Sequence, residues 1–415
     1  MTSRERILAA LNHKEADRIP IDCGSMRSTG LSAIAFNKLK QELHFDAPCL
    51  LYDFQQQLAY TGDFLRERFH VDSMDIGEAF IGDIRTDWKP WVLPDGSACF
   101  IPRYMDARRE ENDTVYLYDS AGYRVGKQPK GSLYTDQIYF PYGDLEEIPQ
   151  ELKEEEYGHT MWDVPCLPFN LDIVHSEKDY QKFVATVKEF RKKTDKALMI
   201  SIGHSFLEFG GYIRTPINFL CDIYEDREGV ERLLNTLEER YLSKLERIMK
   251  DVADDIDIVQ FGDDLGTQKG PWMNPDLIKE LFAPHYKALW DYVHRTSKAK
   301  VFLHCCGSIA PVIPHLIDAG LDILNPVQTT ADNMDPVMLK REFGKDLVFW
   351  GGGCEAQGIL TTGTPDQVKE QVKERMEIFA KDGGFVFNQI HNILANVPVE
   401  NILALYDAAY EWGAY

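Results

Sequence analysis

Residues 301–328 read VFLHCCGSIAPVIPHLIDAGLDILNPVQ. An apolar run of strand length, 300–303, ends in His304-Cys305-Cys306-Gly307. An amphipathic stretch, 309–319, follows. A second short apolar run, 322–324, then ends in Asn325-Pro326-Val327-Gln328. Two fully apolar strands joined by a helix describe a parallel βαβ unit, because a parallel sheet is covered on both faces.

The same rhythm extends in both directions from this unit. Strand-length apolar runs fall at 197–202, 256–261, 347–350 and 385–387. Amphipathic stretches lie near 178–192, 227–251, 274–297, 335–343, 365–381 and 399–412. Six strands from this part, with candidates at 19–23 and 71–76, suffice for an α/β fold of the (β/α)8 TIM barrel type. No Gly-x-Gly-x-x-Gly follows the first strand and no P-loop is present, which disfavours a nucleotide-binding doubly wound sheet.

The N-terminal third is less regular. Thr2 and Glu5 have capping-box spacing ahead of Ile7, Leu8 and Leu11. Residues 31–70 read as helical, with Leu31, Ile34, Phe36, Leu39 and Leu43 on broadly helical spacing. Residues 80–146 alternate instead, and Asp95-Gly96, Ala121-Gly122 and Lys130-Gly131 supply turns. An antiparallel β insertion is expected there, within a single barrel domain spanning 1–415. The acidic stretch 146–156 reads as a solvated face or linker.

Composition narrows the function classes. Of the 415 residues, 44% are hydrophobic and 27% charged, as in an ordinary globular chain. Lys plus Arg total 45 and Asp plus Glu 67, a formal charge of −22. Such a chain attracts neither nucleic acid nor an anionic membrane through its overall field. No run approaches a membrane span, and the charged N-terminus lacks the apolar core of a signal peptide, so a cytoplasmic protein is expected. The eight cysteines, Cys23, Cys49, Cys99, Cys166, Cys221, Cys305, Cys306 and Cys354, are then poor disulfide candidates.

Chemistry in such a barrel sits where strands end. The polar strand-end residues are His204 and Glu208; Asp263 and Asp264; His304 and Cys306; Asn325 and Gln328; Cys354 and Glu355; and Asn388, His391 and Asn392. His304 and Cys306, two apart in an extended segment, project to one face, while Cys305 turns away into packing. An imidazole and a thiolate side by side suit a borderline cation, zinc first. Cys354, ending another strand, is the expected third metal ligand. Glu208, His204, Glu355 and His391 are candidates for the fourth position. Asp263 and Asp264 point to opposite sides, one toward substrate and one toward a helix end. Phe206, Trp272 and Trp350 are candidate walls of the site.

FGDDLGTQKGPWMNPDLIKELFAPHYK at 261–287, residues 301–328, and FWGGGCEAQGILTTGTPDQVKEQV at 349–372 together resemble the uroporphyrinogen decarboxylase superfamily. The opening RERILAALNHKEADRIPID, 4–22, is similar to that family's start. The resemblance spans roughly 1–80 and 170–415 and implies a (β/α)8 barrel. It implies two activities: metal-free decarboxylation of a porphyrinogen, or zinc-dependent methyl transfer to or from the cobalt of a corrinoid protein. The decarboxylase carries an arginine-rich segment after its first strand, whereas Cys23-Gly-Ser-Met-Arg27-Ser-Thr-Gly30 has one arginine. A polycarboxylate needs several cationic partners. The zinc branch carries His-x-Cys, matched by His304 and Cys306, but its further Cys lies on the last strand, where this chain has Asn388 and His391.

The resemblance therefore implies a methyltransferase with zinc on His304, Cys306 and Cys354. Its partners would be a corrinoid (cobalamin) protein and a small methoxylated compound or thiol. Asp263, Glu208, Gln328 and His391 are expected to orient substrate or handle a proton, and the demethylase direction is favoured. The alternatives are a decarboxylase-like lyase and a non-enzymatic corrinoid or metabolite binder.

Overall fold

The computed structural model describes residues 1–164 and 173–415, so Cys166 lies outside the described residues. Seven parallel strands run in sheet order: β1 (Ser73–Asp75), β2 (Ala197–Gly203), β3 (Ile258–Gly262), β4 (Lys300–His304), β5 (Ile323–Asn325), β6 (Val348–Trp350) and β7 (Phe385–Val386). The extended segment 19–22 closes the ring. The Phe387 N–H donates to Pro20 O and the Asp22 N–H to Phe387 O on one side. On the other side the Asp72 N–H donates to Ile21 O. With no free edge, every barrel strand is hydrogen-bonded on both sides. The chain is a TIM barrel.

Side-chain alternation sorts the strands into layers. Ala197, Met199, Ile258, Phe302, Ile323, Val348, Trp350 and Val386 form one buried cluster inside the ring. Ile7, Ala10 and Leu11 of the helix Ser3–Leu11 join that cluster and plug one end. The capping box expected at Thr2 and Glu5 is present. Above the apolar layer, at the carboxyl ends of the strands, the inward positions become polar: Asp22, Asp75, His304, Asn325 and Asn388. Burial at 0–3% makes each of Asp22, Asp75, Asn325 and Asn388 costly unless it has a partner or a task.

The helical reading of 31–70 holds only at its ends, as the helices Ala33–Glu42 and Gly62–Arg68. Between them Leu51–Asp53 and Leu58–Ala59 pair as short antiparallel strands. Asp53 accepts the Gln56 N–H and Gln57 has a positive φ of 58°, so local turn chemistry overrides the apolar spacing. Between Trp88 and Gln137 the strands are antiparallel. Trp88–Val92 pairs with Ala98–Pro102. Asp106–Arg109, Val115–Tyr118, Arg124–Gln128 and Asp136–Gln137 make a four-stranded sheet. Among the described residues, no helix is long and apolar enough to cross a membrane, and the seven described cysteines are unbridged.

The seam where the ring closes depends on one carboxylate. Asp72 is fully buried and accepts Arg6 Nη1 at 2.6 Å, Arg18 Nη1 at 2.8 Å and the Ile21 N–H at 3.0 Å. It ties the plug helix, the closing segment and β1 together. Replacing Asp72 by Asn leaves Arg18, 15% exposed, without its charge partner, and Arg6, 10% exposed, with only the half-exposed Asp17. We expect Asp72→Asn to lose about 3–5 kcal/mol of unfolding free energy in urea titrations. A loss under about 1 kcal/mol, the scale of a surface ion pair, would show that the seam does not rely on it.

Candidate metal centre

Among the described residues, one group of ligand atoms converges. Ligating atoms of His304, Cys306 and His391 lie within 4.8 Å of one another. His304 ends β4, where its backbone pairs with Gly262 and Asn325 on the flanking strands. Its Nε2 lies 3.3 Å from Cys306 Sγ. The His304 and His391 rings stand 5.3 Å apart, edge to face.

The tautomer of His304 follows from its neighbours. The Asn325 Nδ2 donates to Trp350 O at 2.8 Å, which turns the Asn325 Oδ1 toward His304. His304 Nδ1 then donates to that oxygen at 2.6 Å, and the Nε2 lone pair faces Cys306 and His391. A second partner of this kind is what orients metal-binding histidines. His391 is held differently. Its Nδ1 accepts the Asn392 N–H at 2.8 Å, so Nε2 carries the proton of the neutral ring. Burial, with the adjacent His304, pushes His391 down to about 3 and keeps it uncharged. Ligation through Nε2 would cost the Asn392 bond, so His304 and Cys306 are the pre-set pair.

The surroundings suit a cation. Burial and the neighbouring Asp264 push the Cys306 thiol well above its ordinary range. A bound divalent ion reverses that, because its charge deprotonates a coordinating thiol outright. Asp264 Oδ1 accepts the Cys306 N–H at 2.7 Å and fixes the segment. Burial, with Asp264 and Asp263 nearby, pushes the Glu208 carboxyl well up. Glu208 accepts the Tyr212 hydroxyl at 2.7 Å, and its burial disfavours the charged form. One thiol and two neutral imidazoles fit a zinc-type ion with a further position open.

The other residues singled out from the sequence take separate places. Cys354 is not in the cluster, which corrects the expected third ligand. β6 ends at Trp350, and Gly351 and Gly352, with φ of 123° and 73°, turn the chain away. A Cβ on Gly351 would lie 2.3 Å from Pro326 O, so only glycine fits there. Cys354 then packs in the apolar core with its thiol pushed up to about 12 by burial. Its carbonyl accepts the Ile390 N–H at 2.8 Å, so its backbone supports the loop that presents His391.

Asp263 caps a helix. It accepts the N–H groups of Phe206, Leu207 and Glu208, opening the helix Leu207–Arg214, and the Tyr286 hydroxyl. Gln328 has both ends of its amide engaged, by the Gly307 N–H and by Gln268. His204 stacks on Tyr241 at 4.3 Å, and burial pushes it well below the ordinary histidine range. The Trp350 Nε1 donates to Asp22, while Trp272 is 48% exposed.

Asp75 escaped the sequence reasoning, and Asn325, singled out only as a polar strand-end residue, has a more specific role. Asn325 acts on His304 through a bond that strand spacing does not reveal. Asp75 ends β1, 3% exposed, and burial pushes its carboxyl up to about 7 against the opposing Gly77 N–H. Its place at the end of the 71–76 run was the available signal.

Comparison with known proteins agrees with this architecture. The uroporphyrinogen decarboxylase (URO-D) family profile matches residues 170–412, more than half of the chain. The chain belongs to that family. The curated proteins contain no match to it. Among solved structures, a methyltransferase from Methanosarcina mazei is similar over 99% of both chains, with 14% identity and a TM-score of 0.58. That likeness supports the URO-D-family barrel as the fold of the whole chain. A B12-independent methionine synthase from Shewanella sp. W3-18-1 is 11% identical over 95% of this chain and 97% of its own, with a TM-score of 0.41.

Two outcomes test this geometry. Asn325→Ala should weaken divalent-metal affinity roughly 10- to 100-fold in competition with a chromogenic chelator. Cys354→Ala should retain the metal stoichiometry of the parent protein, and a lost equivalent would restore the thiol as a ligand. For Asp75, the folded value near 7 exceeds the ordinary 3.8. Its contribution to stability is therefore complete below pH 3.8 and lost as pH rises through 7. Asp75→Asn should be more stable than the parent at pH 8, with the difference shrinking toward pH 4 in denaturant titrations.

Proposed function

We propose that this URO-D-family barrel is a methyltransferase. It moves a methyl group between a small methoxylated compound and the cobalt of a corrinoid carried by a partner protein, using zinc held by His304, Cys306 and His391. The supporting observation is the convergence of these three side chains at the strand ends, with the tautomer of His304 set by Asn325. A zinc ion bound by one thiolate and two neutral imidazoles keeps a net positive charge and supplies Lewis acidity to the heteroatom that carries the methyl group. A single thiolate neutralises less of the ion's charge than two would. That favours activation of an ether oxygen over stabilisation of a thiol acceptor, and so the demethylase direction.

The remaining tasks fall to groups of this chain. Glu208, its carboxyl pushed well up by burial beside Asp264, is the acid for the departing oxygen. Tyr212 donates to its other side and holds the carboxyl in place. Asp263 fixes the start of the helix that carries Glu208. The corrinoid protein approaches the open carboxyl end of the barrel. A lyase acting on a polycarboxylate is less well supported, because Arg27, the one arginine of its segment, is already engaged by Asp53 at 3.3 Å.

The test follows cob(I)alamin spectroscopically, in the presence of zinc-loaded protein and a panel of methoxylated aromatics and methanol. Conversion to methylcobalamin that disappears after chelation, and in Cys306→Ser, supports the proposal. Glu208→Gln should slow it roughly 100-fold, the scale of a lost general acid. Undiminished turnover after complete metal removal, or release of carbon dioxide from a porphyrinogen, would overturn it.

A further inference from the structure

Glu208 and Tyr212 sit one turn apart on the helix Leu207–Arg214, and the Tyr212 hydroxyl donates to the Glu208 carboxyl at 2.7 Å. That helix, LEFGGYIR, is weak by itself. It has eight residues, and an isolated helix of that length is not stable in water. Gly210 and Gly211 occupy its centre, and glycine is the poorest helix former after proline. Packing demands the first of them, since a Cβ on Gly210 would lie 2.2 Å from the Phe219 ring. The helix is therefore held from outside. At its start, Asp263 accepts the N–H groups of Phe206, Leu207 and Glu208.

Its other end meets the insertion and the chain that leads out of it. The last carbonyls of a helix have no donors within the helix. Gln137 lies on the short strand Asp136–Gln137, which pairs with Arg124–Gln128 of the inserted sheet. Its Nε2 donates to Tyr212 O at 2.6 Å and to Tyr139 O at 2.9 Å. Two carbonyl acceptors allow one orientation of that amide, with the nitrogen toward the helix. The Tyr142 N–H donates to Ile213 O at 2.8 Å. Arg214, 2% exposed, reaches back to Tyr142 O at 2.6 Å and Leu145 O at 2.7 Å, with Asp222 as its charge partner at 2.7 Å. The Trp162 ring stacks on the Tyr212 ring at 5.6 Å. Gln137, Tyr142 and Trp162 all precede the family-matched segment 170–412.

We propose that the insertion is part of the active-site scaffold: its last strand clamps the end of the helix that carries Glu208, and Gln137 is a positioning residue for the Tyr212–Glu208 pair. The inference rests on Glu208 serving as the acid of the proposed reaction. Tyr212 is fixed at three points, its carbonyl by Gln137, its ring by Trp162 and its hydroxyl by Glu208. Without the Gln137 bond the last turn frays, and the hydroxyl leaves the carboxyl that it orients. A displacement of about 1 Å in a catalytic group is enough to slow a reaction on the order of 100-fold.

Infrared difference spectra test the clamp. Each variant is compared with the same protein carrying Glu208→Gln, which isolates the Glu208 carboxyl band whether or not any reaction occurs. Tyr212→Phe removes the hydroxyl and sets the direction in which the band moves when the bond is lost. Gln137→Ala should move the band the same way, and so should Gln137→Met, which keeps the length and lacks the donor. Turnover gives a second reading. Gln137→Ala should lower kcat of methyl transfer roughly 10- to 100-fold with KM and zinc affinity unchanged. In a Glu208→Gln background it should lower kcat no further. A band that moves in Tyr212→Phe but stays in place in both Gln137 variants would overturn the proposal. So would a band indifferent to Tyr212→Phe, or a loss of kcat that persists undiminished in the Glu208→Gln background. A parent protein that transfers no methyl group would remove the acid role of Glu208, and the infrared comparison would still decide the positioning.

Discussion

Asn325 joins three neighbouring strands at the level where the barrel interior turns polar. Its Nδ2 is committed to Trp350 O on β6, so its Oδ1 faces β4, where it takes the His304 Nδ1 proton. That bond fixes which imidazole nitrogen is free. Without it His304 has no preferred tautomer, and the lone pair facing Cys306 becomes one of two alternatives. Asn325 makes this bond from a fully buried position, so water does not compete for it. The candidate metal centre is thus prepared by the sheet itself.

Around this bond the site is assembled from loops held by backbone contacts of other strands. Asp263 follows β3 and caps the helix after β2, which fixes the start of the helix that carries Glu208. Cys354, beyond β6, holds the loop after β7 through its carbonyl, which sets His391. Each functional side chain therefore depends on a neighbouring βα unit for its position. Such cross-bracing restricts motion of the ligands, the requirement for a site that must hold a fixed geometry.

Much of this was legible in the order of residues. The apolar runs at 197–202, 256–261 and 300–303 give parallel strands because nothing but a doubly covered strand accommodates them. His304 and Cys306 share a face because extended backbone repeats every second residue. Periodicity stops helping where the chain leaves regular structure. Cys354 lies four residues beyond β6, past Gly351 and Gly352, and their positive φ angles redirect the chain in a way spacing does not encode. His391 itself has a positive φ of 63°, in a loop beyond β7, so its convergence with His304 is a tertiary result. The short strands at 51–59 were masked for a related reason, since their apolar spacing also fits a helix.

The central claim is that one sulfur and two imidazoles, rather than two sulfurs, surround the ion. X-ray absorption at the zinc edge of the metal-loaded protein reads this directly. The account predicts a single sulfur scatterer near ~2.3 Å, with the remaining shell nitrogen or oxygen near ~2.0 Å. A fit requiring two sulfurs would bring Cys354 back to the ion, and a shell without sulfur would remove Cys306. Either result would contradict the account.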